Sequence, residues 1–180
     1  MNTPPTDHVY GRVAKALHWV IFLLLVIQYI VGWTMPHVGR HTLPVGLIAI
    51  HVTVGTLIVL AVAVRILWRL FNRPRTARVA STGPIWSQRV ASAVHGLLYV
   101  LMLAVPVLGW ANANARGWIV GVTDRLSLPA IMAEGSALGH DFGDWHSNLA
   151  VVLISLIGLH VAAGLYHHWV LGDGTLRKMW

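Results

Sequence analysis

The feature that most constrains this chain is a set of four apolar blocks, at residues 13–34, 45–68, 89–110 and 145–170. At 1.5 Å of rise per residue, a helix of about 20 residues crosses a hydrocarbon core of about 30 Å. Inside a bilayer every backbone N–H and C=O must be satisfied by the protein itself, so blocks of this length and hydrophobicity fold as helices. Only 11% of the 180 residues are charged, where a soluble domain carries about a quarter. The expected fold is an all-α membrane protein, a four-transmembrane-helix bundle built as one integral membrane domain over residues 1–180.

The flanks support this reading. Tryptophans sit at the block ends (Trp19, Trp33, Trp68, Trp86, Trp110, Trp145 and Trp169), as an interfacial aromatic belt requires. Arg12 and Lys15 precede the first block's core. Arg65, Arg69, Arg73, Arg75, Arg78 and Arg89 gather around the link between blocks two and three, and Arg177 and Lys178 end the chain. The opposite side has only Arg40, Arg116 and Arg125, set against Asp124, Glu134, Asp141 and Asp144. Positive charge stays inside, which places both termini in the cytoplasm. The first block is long enough to remain as an anchor rather than be cleaved as a signal peptide. The net charge of +7 is thus an orientation signal. No basic run interleaved with aromatics supports nucleic-acid binding.

Proline and loop positions refine the picture. Pro44 suits the first turn of the second helix, and Pro106 is expected to kink or loosen the outer end of the third. The outer loop, 111–144, is long for a compact bundle and carries apolar pieces, WIVGV and LPAIM. Such a loop is expected to fold over the outer mouth.

Chemistry must come from histidine, because the chain has eleven histidines and no cysteine. The lack of cysteine excludes disulfides, thiolate metal sites and covalent c-type haem attachment. His8, His37, His41 and His140 fall in flanks and loops, where an imidazole needs no special explanation. His18, His51, His95, His146 and His160 fall within or at the ends of the apolar blocks, with His167 and His168 near the inner end of the fourth. Any one alone reads as a helix–helix hydrogen bond; as a set they point to function, since ionisable groups in a membrane are costly.

Their spacing is informative. His146 and His160 are fourteen residues apart, roughly 21 Å of rise and within about 40° of one helix face. One stripe of one helix therefore presents an imidazole near each membrane surface. His18 matches the depth of His160, and His51 that of His146. Facing neutral imidazoles between apolar walls fit bis-histidine axial ligation of haem iron. Zinc would need three or four ligands, usually with cysteine or carboxylate. Gly55, Gly158 and Gly164 supply small surfaces where a flat ring could approach, or simply where helices pack.

The order and spacing of ALHW (16–19), IHVTVG (50–55), HGLLY (95–99), WH (145–146), GLH (158–160) and YHHW with DGTLRKM (166–179) resemble the bacterial cytochrome b561 family over nearly the whole chain. The resemblance implies a bundle holding two non-covalent b-type haems. Axial ligands would be His18 and His160 for the cytoplasmic-side haem, and His51 and His146 for the outer-side haem. It also implies a quinone, such as ubiquinone, near the cytoplasmic haem with His167 as its contact. His95 shares the level of His18 and His160, and is either a supporting contact of that haem or its ligand in place of His18.

Better known members of the family are similar to a superoxide oxidase, so the implied activity is superoxide:ubiquinone oxidoreductase-like, in a bacterial inner membrane. Other readings are an electron conduit or membrane anchor for a separate redox partner protein and, from a different class, a haem-free histidine-lined transporter. The outer links hold more acid than base, so charge alone does not argue for an anionic donor.

Overall fold

The computed structural model describes residues 11–39, 42–72, 84–123, 126–172 and 176. His8, Arg40, His41, Arg73, Arg75, Arg78, Asp124, Arg125, Arg177 and Lys178 lie outside them, as does most of the DGTLRKM tail. Four helices form: α1 Arg12–Thr34, α2 Leu47–Phe71, α3 Ile85–Ala115 and α4 Ala137–Trp169. Each is long and apolar enough to cross a membrane. Between α3 and α4 lies a small antiparallel hairpin of β1 Gly121–Thr123 and β2 Leu126–Ser127.

The helix ends differ from the sequence expectation in specific ways. Pro44 stands three residues outside α2 rather than in its first turn. Arg65 and Arg69 belong to α2, not to the link that follows it. Pro106 does not end α3, which continues to Ala115. Proline removes one intrahelical donor, and neighbouring helices in a bundle tolerate that loss. The helix then stops in a Schellman arrangement, with Trp118 N–H donating to Ala113 C=O at 2.9 Å and Gly117 at a φ of 75°; that conformation favours glycine. α4 starts at Ala137, eight residues before the apolar block, because Ser136 caps it by accepting from Gly139 N–H at 3.2 Å. The outer loop therefore shortens from 111–144 to 116–136.

The core has two centres. Ile21, Ile58 and Val62 are buried between α1 and α2, and Leu98, Leu101, Val105 and Leu153 between α3 and α4. Met102 on α3 packs against both, as an unbranched, adaptable side chain can. Close helix packing runs α1–α2, α2–α3 and α3–α4. α1 and α4 are tied by a side chain, Tyr29 Oη donating to the Ala150 carbonyl at 2.7 Å. Most remaining large apolar side chains point outward, including Leu23, Val100, Val151 and Leu159. A water-facing surface would be an aggregation hazard in that state; a lipid-facing one is expected to be apolar.

Candidate functional site

The depth matching of histidines becomes contact in the structure. His51 on α2 and His146 on α4 face each other with ring centroids 5.9 Å apart and planes at 83°. Further along α4, His160 meets His95 of α3 at 5.1 Å and 80°. His18 lies within electrostatic range of both His95 and His160. His18 and His160 are thus brought into one cluster, but the ring directly against His160 is that of His95.

The outer pair is held by recognisable local chemistry. His146 Nδ1 lies 2.8 Å from the Val105 carbonyl. A carbonyl only accepts, so Nδ1 carries the proton and the neutral ring's lone pair is on Nε2. A hydrogen bond that fixes the tautomer in this way is what a metal-ligating histidine needs. The ring reaches Val105 because position 109 is glycine: a Cβ there would sit 2.9 Å from Nδ1 and 3.0 Å from Cε1 of His146. His51 is approached by the Gln28 amide nitrogen at 3.2 Å from its Nε2. An amide NH₂ donates, so that lone pair too is on Nε2. Across the ring, a Cβ at position 32 would lie 3.4 Å from His51 Cε1, an ordinary contact.

A cavity of about 410 Å³ opens beside these rings, within the range of small-molecule sites. Gln28, Gly109, Trp110 and Arg116 line it with the two histidines, and Trp118, Val120 and Leu128 of the outer loop cover it. The loop does fold over the mouth. A second cavity, about 270 Å³, reaches deeper along Tyr29, Met102 and Ile154 and shares both histidines.

Does this arrangement fit a haem? Two metal–nitrogen bonds of about 2 Å each, plus the distance from donor atom to ring centre, set a facing pair roughly 6 Å apart. The outer pair matches that separation; the inner pair of His95 and His160 is tighter. His51 Nδ1, Gln28 Oε1 and Trp110 Nε1 are buried without hydrogen-bond partners, a costly state that a polar ligand in the cavity relieves. The donor set is all neutral imidazole, and among the described residues no group of three or more His, Cys, Asp or Glu could hold a metal ion. A pair of imidazoles suits an iron whose other four donors come from a porphyrin. The residues fit.

The inner cluster is less enclosed. His95 is exposed, and its Nδ1 donates to the Ala91 carbonyl at 2.6 Å, one turn back on its own helix. His167, seven residues beyond His160 and so about 20° from the same face, is half-buried, with the Tyr166 ring 6.3 Å away. His37 and His140 are exposed and line the outer mouth with Arg116 and Asp144.

Several site residues were not singled out from sequence. Gly32 and Gly109 are the glycines beside the histidines; Gly55 instead meets Gln28, Gly164 meets Leu176, and Gly158 has no neighbour within 4 Å. Gln28 carried a signal, being a polar side chain inside an apolar block.

Comparisons with known proteins agree along the whole chain. The family model of prokaryotic cytochrome b561 matches residues 9–180. "Cytochrome b561 homolog 2" of Escherichia coli (strain K12) is 27% identical, over 99% of this chain and 95% of that protein. "Probable superoxide oxidase CybB" of Yersinia pestis is 30% identical, over 94% of each chain. "Cytochrome b562" of Cereibacter sphaeroides is 30% identical, again over 94% of each.

Proposed function

The chain belongs to the prokaryotic cytochrome b561 family, membrane electron-transfer proteins whose cofactor is b-type haem, and on that premise we propose that it carries electrons through two haems from an outer-side donor to a quinone at the cytoplasmic side. The donor we favour is superoxide, after the relative whose name records a probable superoxide oxidase. Two superoxide ions would each give up one electron and leave as dioxygen, and one quinone would take two electrons and two protons to become quinol. The protein would span the bacterial inner membrane four times with both termini in the cytoplasm, as the arginine distribution favours.

The observation that carries this reading is the pair of imidazoles on α4, each met by another helix's histidine at its own depth. When bound, haem supplies reversible one-electron exchange at iron. His146 would hold the outer haem through its Nε2 lone pair, with Val105 and Gly109 fixing the ring, and His51 would do so through Nε2 once the Gln28 amide gives up that lone pair. His160 and His18 would hold the inner one, with His95 as a supporting contact. The 5.1 Å spacing of His95 and His160, tighter than a bis-histidine pair needs, supports that order; His95 as ligand in place of His18 is the alternative, favoured by the Nδ1 bond to Ala91 that fixes its tautomer. His167 would donate a hydrogen bond to a quinone carbonyl and pass it a proton. The outer loop shields His51 and His146 from water.

A dithionite-reduced optical spectrum with pyridine haemochromogen quantitation tests this directly. Two b-type haems per chain are expected; none would return the chain to the histidine-lined transporter reading. Haem reduction under a superoxide flux, with and without quinone, separates the oxidase from a conduit or anchor serving another redox protein. A conduit would show no competitive reduction.

A further inference from the structure

α2 carries His51 at the outer level and, fourteen residues later, Arg65. The same interval separates His146 from His160 on α4. It advances a helix by roughly 21 Å and returns it to within about 40° of one face. Arg65 therefore occupies on α2 the level that His160 occupies on α4. Its guanidinium is bonded to neighbouring helices. Its Nε donates to Tyr99 Oη on α3 at 2.9 Å, and its Nη1 donates to the Ala14 carbonyl on α1 at 2.9 Å. Ala14 lies one turn before His18 on α1. The guanidinium is only partly exposed and is threaded among three helices.

Both acceptors are neutral. Among the described residues no carboxylate pairs with this cation: α1, α2 and α3 contain none, and Asp141 and Asp144 lie at the opposite, outer end of α4. A charge at this depth is costly unless an anion compensates it. A guanidinium has five N–H donors in a planar fork suited to a carboxylate, and the two bonds described leave most of that fork for another acceptor.

We propose that Arg65 is the carboxylate anchor of the inner site, binding a haem propionate there and making the inner centre the easier of the two to reduce. The proposal rests on the reading that a haem sits at His160. A fixed positive charge at that propionate favours the reduced form of the centre, which carries one more electron. Tyr99 orients the fork. Arg69 lies over the Tyr99 ring, 5.9 Å from its centroid, but is exposed, so solvent screens its charge.

The test is a potentiometric titration of the purified holoprotein, with haem content measured in parallel and haem transfer to apomyoglobin timed. An H51A background, expected to hold only the inner haem, assigns the signals. Arg65→Gln is expected to lower the inner centre's equilibrium constant for reduction by roughly tenfold or more and to speed loss of that haem, with the outer centre unchanged. Arg65→Lys, which keeps the charge but not the fork, should recover most of the constant while haem loss stays fast. Arg69→Gln should change neither. An Arg65→Gln protein with wild-type inner potential and haem retention overturns the proposal, as does an equal shift of both centres, which marks a packing role. If Arg65→Gln does not accumulate, Tyr99→Phe takes its place, with a smaller inner shift expected and no shift overturning the idea. A wild-type protein without haem would instead sink the proposed function itself.

Discussion

At the scale of single residues, the outer site depends on what is missing from position 109. Gly109→Ala would set a methyl 2.9 Å from His146 Nδ1, closer than carbon and nitrogen can approach, so the imidazole must turn away from the Val105 carbonyl. Overpacking of this kind costs about 1–3 kcal/mol. A displaced His146 should also leave the outer haem partly high-spin, which electron paramagnetic resonance would register while the inner signal stays as it was. His51→Ala should reduce the haem count from two per chain to one, leaving the inner haem. Loss of the inner haem instead would overturn the pairing.

Which of these residues could be read from the chain follows from geometry. Position along a helix gives depth, so His51 could be matched with His146 and His160 with its level. Depth does not give azimuth, and azimuth decides whether His18 or His95 lies against His160. Gly109 escaped for a related reason. It acts on a histidine of a neighbouring helix, and nothing in local sequence links positions 109 and 146.

At the scale of elements, apolar block length located the membrane-spanning parts well and the helix ends poorly. α4 begins at Ala137, just ahead of a polar stretch, GHDFGD, that hydropathy alone assigns to the loop. The Ser136 cap is the signal for that start, and replacing it by alanine should lower stability by about 1 kcal/mol, read as a drop in Tm in detergent. The loop that follows α3 is organised by one buried residue, Asn114. Its Nδ2 donates to the Trp118 carbonyl at 3.2 Å, and its Oδ1 accepts from Ile131 N–H at 2.9 Å. Arg116 adds a bond of 2.8 Å from Nη1 to the Gly39 carbonyl. Asn114→Ala would remove a hydrogen-bond partner from two loop backbone groups, at about 1–3 kcal/mol together. Faster hydrogen exchange at the Ile131 N–H, with the exchange of α1 and α2 unchanged, is the expected result. The short hairpin had no signal in the sequence, since its strands pair over only a few residues and its apolar side chains serve the loop rather than a sheet.

At the scale of the whole molecule, two helix pairs with separate buried clusters are joined by Met102 on one flank and by the Tyr29 bond on the other. Tyr29→Phe removes the hydrogen bond that ties α1 to α4. It should lower Tm modestly, because a neutral intramembrane hydrogen bond contributes about 0.6–2 kcal/mol. Orientation belongs to this scale too. A fluorescent protein fused after Trp180 should glow in the cytoplasm, and a secreted-phosphatase fusion at the same place should be inactive; the reverse result would invert the assignment of donor and acceptor sides.

One helix supplies a histidine to both levels, and this gives the bundle an arithmetic. A single residue added anywhere between His146 and His160 turns everything beyond it by about 100° and moves it by about 1.5 Å. One of the two imidazoles would then face lipid, however conservative the inserted side chain. Substitutions in this interval are cheap where the side chain faces outward, whereas any change in its length dismantles one level or the other. In evolutionary terms, the outward-facing positions of the segment can drift in composition while its phase is locked.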